Sequence, residues 1–227
     1  PVADAPSAAR LQRDVAWLAD DAREGRGTGT AGNDSAAAYV ARRFAELKLR
    51  PVVTDADAQA RCASVRTAMA PAAPAARGPA ASEAAYPPCA TYLQKFTARS
   101  AALAHAGRGE GLATQNVVAL LEGSDPALRG QVLVVGAHFD HLGRDSMFAQ
   151  DPKAGRAIRN GADDNASGTA AVLEMARLLA ARPPKRSVLF VAFSGEELGL
   201  LGSKWFVEYA PVPTDSMVAM LNFDMVG

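Results

Sequence analysis

Four short polar clusters hold the residue types in this chain that are best suited to chemistry. They are His138-Phe139-Asp140-His141, Asp163-Asp164-Asn165, Glu196-Glu197 and the single residue Asp224. Imidazole and carboxylate groups are common ligands of zinc in proteins. A carboxylate that lies beside a metal can also accept a proton from water as a general base. The residue types therefore indicate a metal centre with acid–base chemistry.

Continuous apolar segments precede three of the clusters. The segments 131–136, 187–193 and 217–223 each end shortly before a cluster, and the remaining cluster stands directly before a predicted helix at 168–181. Ligands of open α/β sheets bind beyond the carboxyl ends of the strands. We therefore expect the four clusters to meet at one edge of a sheet.

Each cluster taken alone also has a structural explanation. A single histidine at a strand end can be a satisfied core residue, acidic residues before a helix serve as N-caps, and adjacent glutamates occupy solvated turns. Asp224 alone would be a capping residue. Four such clusters at topologically equivalent places favour the metal centre over the purely structural explanation.

The wider pattern predicts an α/β fold with a largely parallel mixed sheet and helices on both faces. A further strand is predicted at 116–121. Further helices are predicted at 11–20, at 35–47 behind an Asp34 cap, and at 199–209. Apolar strands that alternate with helices are typical of a sheet covered on both sides. The glycine-rich segment 24–33 is interpreted as a loop, because it does not complete a dinucleotide-binding pattern and follows no strand.

Composition divides the chain into three predicted parts. They are an N-terminal helical segment at 1–50, an inserted loop at 51–90 and the α/β core at 91–227 that carries the clusters. Residues 69–88 are mostly alanine and proline, so they can bury little apolar surface and contain many helix breakers.

The inserted loop contains the two cysteines, Cys62 and Cys89. They form no CxxC pair, so a cysteine zinc site is not indicated. Two alternatives stay open: a pair of surface thiols, or one disulfide across an exposed loop of an exported protein. The second alternative predicts a periplasmic or secreted location.

Charge and hydropathy exclude two classes of partner. Basic and acidic residues balance at 24 each, whereas a nucleic-acid-binding domain normally carries a basic excess. The chain has no run of 18 apolar residues, so no membrane span is predicted.

The clusters resemble the four motifs of the M28 zinc peptidase family, whose members include bacterial aminopeptidases. The matching segments are GAHFDHLG, NGADDNASG, FSGEELGLLGS and NFDMVG. The resemblance is strong over 116–227, weaker over 11–50 and missing from 51–90. It implies a zinc-aminopeptidase-like fold, two co-catalytic zinc ions (Zn2+) per complete site and peptide substrates.

The resemblance also implies a role for each metal ligand. His138 and Asp224 match ligands of one zinc ion, and Glu197 matches a ligand of the other. Asp164 matches the carboxylate that bridges both ions, which makes Asp163 a flanking residue.

The remaining site residues follow from the same motifs. Asp140 matches the carboxylate that hydrogen-bonds the other ring nitrogen of His138, and Glu196 matches the general base that takes a proton from the zinc-activated water. His141 is expected to be structural or to line the substrate pocket. His105 lies outside every motif and is assigned no role.

One departure from the family pattern affects the second zinc ion. The family places a further histidine ligand well beyond the NFDMVG motif, and no residue of 1–227 stands at that place. We therefore expect the C-terminal part of the fold to be missing, so that a further segment or a second chain completes the site. A single-zinc glutaminyl cyclase and a non-catalytic binding domain on the same fold are the two alternatives.

Overall fold

The computed structural model describes residues 5–55, 59–60, 90–144, 155 and 157–227. Most of the segment interpreted as an inserted loop lies outside these residues, and so do Cys62 and Cys89. The division of the chain into three parts and the state of the two cysteines therefore stay predictions.

A six-stranded mixed sheet forms the centre of the fold. Its strands are β1 (Arg50–Pro51), β2 (Leu93–Ala98), β3 (Leu112–Leu121), β4 (Val132–His138), β5 (Ser187–Phe193) and β6 (Met217–Asn222). The strand order is β1-β3-β5-β4-β6, and β2 also pairs with β3. The pairings of β4 with β5 and with β6 are parallel, whereas every pairing of β3 is antiparallel. The parallel part of the sheet is thus the part that carries the polar clusters.

Helices cover both faces of this sheet, as the apolar pattern predicts. They are α1 (Ala8–Leu18), α2 (Ala31–Glu46), α3 (Ala101–His105), α4 (Gly168–Ala181) and α5 (Leu201–Glu208). On one face Phe190 of β5 packs in a core with α1, α2 and α4, and on the other face Phe193 packs against Phe206 of α5. Alternate side chains of a fully buried strand supply both cores, which explains its unbroken apolar sequence.

The helix predicted at 35–47 begins earlier than the sequence indicated. It starts at Ala31 and its N-cap is Thr30, whose hydroxyl accepts a hydrogen bond from the Asn33 N–H, so the Asp34 cap is wrong. Gly32 allows this early start, because a Cβ atom there would lie against the Arg23 carbonyl oxygen. Strand β2 and helix α3 were not predicted, and β3 starts four residues before the predicted strand.

The strand register brings the clusters together. His138 at the end of β4 is aligned with Phe193, which immediately precedes the Ser194–Glu197 loop. On the other side Gly136 is aligned with Asn222, two residues before Asp224. The expectation that the clusters meet at the carboxyl edge of the sheet is confirmed by these pairings. No helix among the described residues is long and apolar enough to cross a membrane.

Candidate metal centre

His138 lies at the centre of a group of carboxylates. Its Nε2 atom is 3.3 Å from Asp164 Oδ1 and 3.4 Å from Asp224 Oδ1. Two ligand atoms at zinc bond lengths in a tetrahedral site lie roughly 3.3 Å apart. The three side chains thus have the donor types and the spacing that one tetrahedral zinc ion requires.

The other ring nitrogen of His138 faces Asp140. Nδ1 is 3.2 Å from the Asp140 backbone oxygen and 3.7 Å from its Oδ1, and both residues are buried. Burial lowers the pKa of His138, but Asp140, Glu196 and Asp224 together raise it to about 9. The metal-free centre therefore holds a proton on His138 at neutral pH, and a metal ion must displace it.

The Asp140 carboxylate in turn is held by two other segments. Oδ2 accepts a hydrogen bond from the Thr28 hydroxyl at 3.0 Å, and Oδ1 accepts one from the Glu196 N–H at 3.2 Å. Asp140 therefore links the loop after β4 to the loop after β5. The motif implied a direct hydrogen bond between His138 Nδ1 and the Asp140 carboxylate. The distance between these two groups is too long here for a hydrogen bond.

The structure places Asp164, and not Asp163, between the two histidines of the first motif. Asp164 Oδ1 faces His138, while its Oδ2 lies 4.0 Å from His141 Nδ1. The Asp163 carboxylate instead accepts hydrogen bonds from the Ser167 hydroxyl and the Gly227 N–H. Asp164 is thus the acid whose two oxygens face two different groups of ligands.

His141, Asp164 and Glu197 form the second group. Their ligand atoms lie within 4.8 Å of one another, so this group too could hold a metal ion. His141 Nδ1 lies 2.6 Å from Glu197 Oε1, which is the distance of a hydrogen bond. These atoms consequently orient each other. The position of His141 in the loop after β4 was visible in the sequence, but its partner Glu197 was not.

Glu196 lies at the mouth of the centre. Its Oε2 is 3.9 Å from His138 Nε2, farther than the Asp164 and Asp224 oxygens. The pKa of Glu196 is raised, first by burial and then by the carboxylates of Asp140, Glu197 and Asp224, which outweigh His138. A carboxylate with a raised pKa near a metal centre is suited to accept and return a proton.

Two buried hydrogen-bond networks hold the loops that present these side chains. The Asn165 side chain donates to Phe223 O and accepts from the N–H groups of Gly168 and Met225. It therefore links the segments that carry Asp164 and Asp224. Beside the Glu196–Glu197 pair, the Ser194 hydroxyl bonds Asn33 and Thr114. His105 lies on α3, where its ring nitrogen contacts Ala101 O.

These features define an α/β protein with a candidate zinc centre at the carboxyl ends of three parallel strands. Residues 116–227 match the family model described as Peptidase family M28. The resemblance that the four motifs predicted is thereby confirmed.

Two curated relatives each match about half of the chain. A probable zinc metalloprotease of Pyrenophora teres f. teres is 40% identical over 111 residues, and an aminopeptidase of Pseudomonas aeruginosa is 42% identical over 115 residues. The alignments cover 49% and 50% of this chain but 22% and 18% of the relatives. The chain thus spans about a fifth of the length of the curated relatives it matches.

Solved structures share the fold over almost the whole chain. A Zn-dependent exopeptidase from Parabacteroides distasonis gives a TM-score of 0.66 at 19% identity, with 97% of this chain and 62% of that chain covered. A glutaminyl cyclase from Tannerella forsythia gives 0.61 at 21% identity, with 96% and 60% covered. The predicted α/β class is confirmed by this likeness, and zinc is the metal that the family and the donor set both indicate.

Proposed function

We propose that this chain forms the core of a zinc-dependent peptidase that removes N-terminal residues from peptides. The observation that carries the proposal is the spacing of His138, Asp164 and Asp224, with Glu196 beside them and not among them. The match of residues 116–227 to a peptidase family supports the reaction class, and the aminopeptidase of Pseudomonas aeruginosa supports removal of N-terminal residues.

Each polar side chain of the centre has a distinct role in this proposal. His138, Asp164 and Asp224 would hold one zinc ion, and Asp164 and Glu197 would contribute to a second. When bound, zinc supplies a Lewis acid that polarises a carbonyl oxygen and lowers the pKa of water.

Glu196 moves the proton in this proposal. Its carboxylate lies beside the centre but is not placed as a metal ligand, and its backbone N–H donates a hydrogen bond to Asp140. It takes the proton of the attacking water and delivers it to the leaving amine, so one group serves as base and then as acid. Its raised pKa brings it closer to neutral pH, where such a transfer is most effective.

The second zinc ion needs a further ligand in this proposal, because His141 is hydrogen-bonded to the Glu197 carboxylate. Strand β6 also lies at the edge of the sheet with exposed apolar side chains at Val218, Met220 and Leu221. An exposed apolar edge strand favours pairing with another strand. We infer that a further segment or a second chain covers β6 and supplies the remaining ligand.

A cyclase-like enzyme with a single zinc ion is the second candidate. It is favoured by one observation: in the second group the His141 Nδ1 atom is hydrogen-bonded to Glu197 Oε1 at 2.6 Å, whereas the carboxylate oxygens around His138 Nε2 stand 3.3 Å and 3.4 Å away. Zinc counted per chain in the complete protein separates the two, since the peptidase is expected to hold two ions and the cyclase one. A periplasmic or secreted location stays part of the proposal and depends on a disulfide between Cys62 and Cys89.

The direct test replaces Glu196 by glutamine, which keeps its shape and removes its basicity. Turnover of an aminoacyl p-nitroanilide should fall by about 10²–10⁴-fold, while zinc content stays at the wild-type level. Glu110→Gln on the exposed surface is the matched control and should change neither quantity. Wild-type turnover in Glu196→Gln would contradict the assigned base, and loss of zinc would show that Glu196 is a ligand.

A further inference from the structure

Arg26 is an arginine whose side chain is completely buried near the metal centre. Its exposed fraction is 0%, and four of its bonds go to backbone carbonyl oxygens. Nε donates to Phe139 O at 2.7 Å, Nη1 to Leu18 O at 2.6 Å and to Asn160 O at 2.7 Å, and Nη2 to Gly161 O at 2.8 Å. A guanidinium has five N–H donors in a rigid plane, so almost all of its capacity is used here.

The four acceptors belong to segments that carry metal ligands or adjoin them. Phe139 stands between His138 and Asp140, and Gly161 precedes Asp164 by three residues. Of the other two acceptors, Asn160 directly precedes Gly161, and Leu18 is the last residue of α1. The side chain of Arg26 thus sets the separation between the loop after β4 and the turn before α4.

Arg26 also brings a charge that its own hydrogen bonds do not neutralise. Its described partners are all neutral carbonyl groups, whereas buried arginines normally pair with a carboxylate. Burial lowers the pKa of Arg26 to about 10, against the attraction of Asp140, Asp164 and Glu197, so the side chain is a cation at neutral pH. Its field therefore acts on the carboxylates that must lie close together before a metal arrives.

The local backbone is shaped around this side chain. Glu24, Gly25 and Arg26 have φ angles of 48°, 70° and 52°, in the left-handed region that non-glycine residues rarely adopt. Gly25 also allows close contact, because a Cβ atom there would meet Arg159 O. Such conformations persist where the surrounding structure holds them, and they are frequent beside functional sites.

We propose that Arg26 is a positioning residue of the metal centre, which holds the His138 and Asp164 segments at metal-binding distance and offsets the repulsion among their carboxylates. This inference rests on the proposed zinc function. It gives the glycine-rich segment 24–33 a role that has nothing to do with a phosphate: its turns bury one arginine behind the ligands.

The test compares zinc affinity in Arg26→Lys and Arg26→Gln with the wild-type chain. Lysine keeps the charge but lacks the fork, and glutamine lacks the charge as well. Loss of a group that orients metal ligands typically weakens affinity about 10–100-fold. We expect Arg26→Gln to lose the most affinity and Arg26→Lys to recover part of it, in chelator competition on protein shown to be folded by circular dichroism.

Arg10→Gln is the matched control, because Arg10 is an arginine whose side chain bonds Glu174 and none of the proposed ligands. It should lower stability and leave the zinc affinity of the folded chain within twofold of wild type. Wild-type affinity in both Arg26 variants would overturn the role of Arg26 alone. Failure of the wild-type chain to bind zinc would overturn the proposed function instead.

If the variants do not fold, a measurement on the wild-type chain tests the role of Arg26. The Nε–H resonance of Arg26 should be protected from exchange and should shift when zinc is added, because the Phe139 carbonyl that it bonds lies next to His138. An unchanged resonance in zinc-saturated protein would overturn the proposal.

Discussion

Two sets of carboxylates in this protein lie in opposite electrostatic surroundings. Glu174 on α4 is almost buried and accepts hydrogen bonds from the side chains of Arg10 and Arg177 and from the Ser7 N–H. Burial raises the pKa of Glu174, but these donors outweigh it and lower the value to about 2. The single carboxylate of this network thus faces two cationic side chains.

The metal centre is compensated only in part, because its carboxylates outweigh the protonated His138. Asp164 and Glu196 have raised pKa values, first because of burial and then because other carboxylates lie close by. The arginine Arg26 interacts electrostatically with Asp140, Asp164 and Glu197, but it donates its hydrogen bonds to carbonyl oxygens and not to these acids. The difference shows that Glu174 stabilises the fold together with its arginines, whereas the acids around His138 keep an excess of negative charge that a metal ion can offset.

The largest expected effect separates the bridging acid from its neighbour. Asp164→Asn should abolish firm zinc binding, because one carboxylate serves both groups of ligands. Asp163→Asn should keep zinc, since its carboxylate bonds Ser167 and the Gly227 N–H. Zinc counted by atomic absorption after dialysis checks both variants, and the reverse result would place the bridge at Asp163.

Removing a carboxylate should change the stability of the protein in opposite directions in these two regions. Glu174→Gln leaves two arginines without their partner, and the pKa shift corresponds to about 3 kcal/mol of folding free energy at neutral pH. Asp164→Asn removes an ionised group that the fold disfavours, so the metal-free protein should keep or gain stability. Urea unfolding in the presence of EDTA measures both, and a loss of stability in both variants would contradict the comparison.

The sequence predicted the location of the centre better than its internal contacts. Residues at strand ends, such as His138 and Asp224, could be predicted from the sequence. An apolar segment and the residues that follow it are local features of the chain. The contact between His141 and Glu197 joins loops 56 residues apart, and no local pattern encodes it. Arg26 was missed for the same reason, since its partners lie on three separate segments.

Strand direction was also beyond the sequence pattern. A fully buried strand such as β3 has a continuous apolar sequence whether its neighbour runs parallel or antiparallel. The antiparallel pairing of β3 with β5 therefore followed only from the structure. The early start of α2 depends on a contact between Gly32 and Arg23, which a helical pattern does not reveal.

A smaller effect tests how Glu197 is oriented. In His141→Asn the amide nitrogen can take the place of Nδ1 and bond Glu197 Oε1, whereas in His141→Gln the nitrogen stands nearer the place of Nε2. We expect about a 10–100-fold loss of zinc affinity in His141→Gln, with His141→Asn closer to wild type. Equal losses in both variants would indicate that the whole imidazole is required, as for a metal ligand.

The smallest effect for a single step is a gradual dependence on pH. With a pKa of about 9, His138 is protonated at neutral pH, so zinc affinity should weaken about tenfold per unit as the pH falls below 9. The raised pKa also stabilises the metal-free fold below the ordinary value of 6.5, and this contribution is lost as the pH rises through about 9. For Glu174 the sign is reversed: its contribution is present above 4.5 and is lost as the pH falls through about 2.

Chelator competition and urea unfolding between pH 6 and 9.5 measure the two consequences for His138. His138→Gln should remove the loss of stability at alkaline pH, and His105→Gln on α3 should leave it unchanged. Zinc affinity that does not vary with pH would show that His138 is already neutral in the metal-free protein.

The most direct test of the account locates the zinc ion itself. Crystals grown with zinc and measured at the zinc absorption edge should show an anomalous peak about 2.0–2.2 Å from His138 Nε2 and from oxygens of Asp164 and Asp224. The Glu174 network should show none, since its carboxylate is already bonded to two arginines. A peak at Glu174, or no peak beside His138, would contradict the claim that incompletely compensated carboxylates at the strand ends form the metal centre.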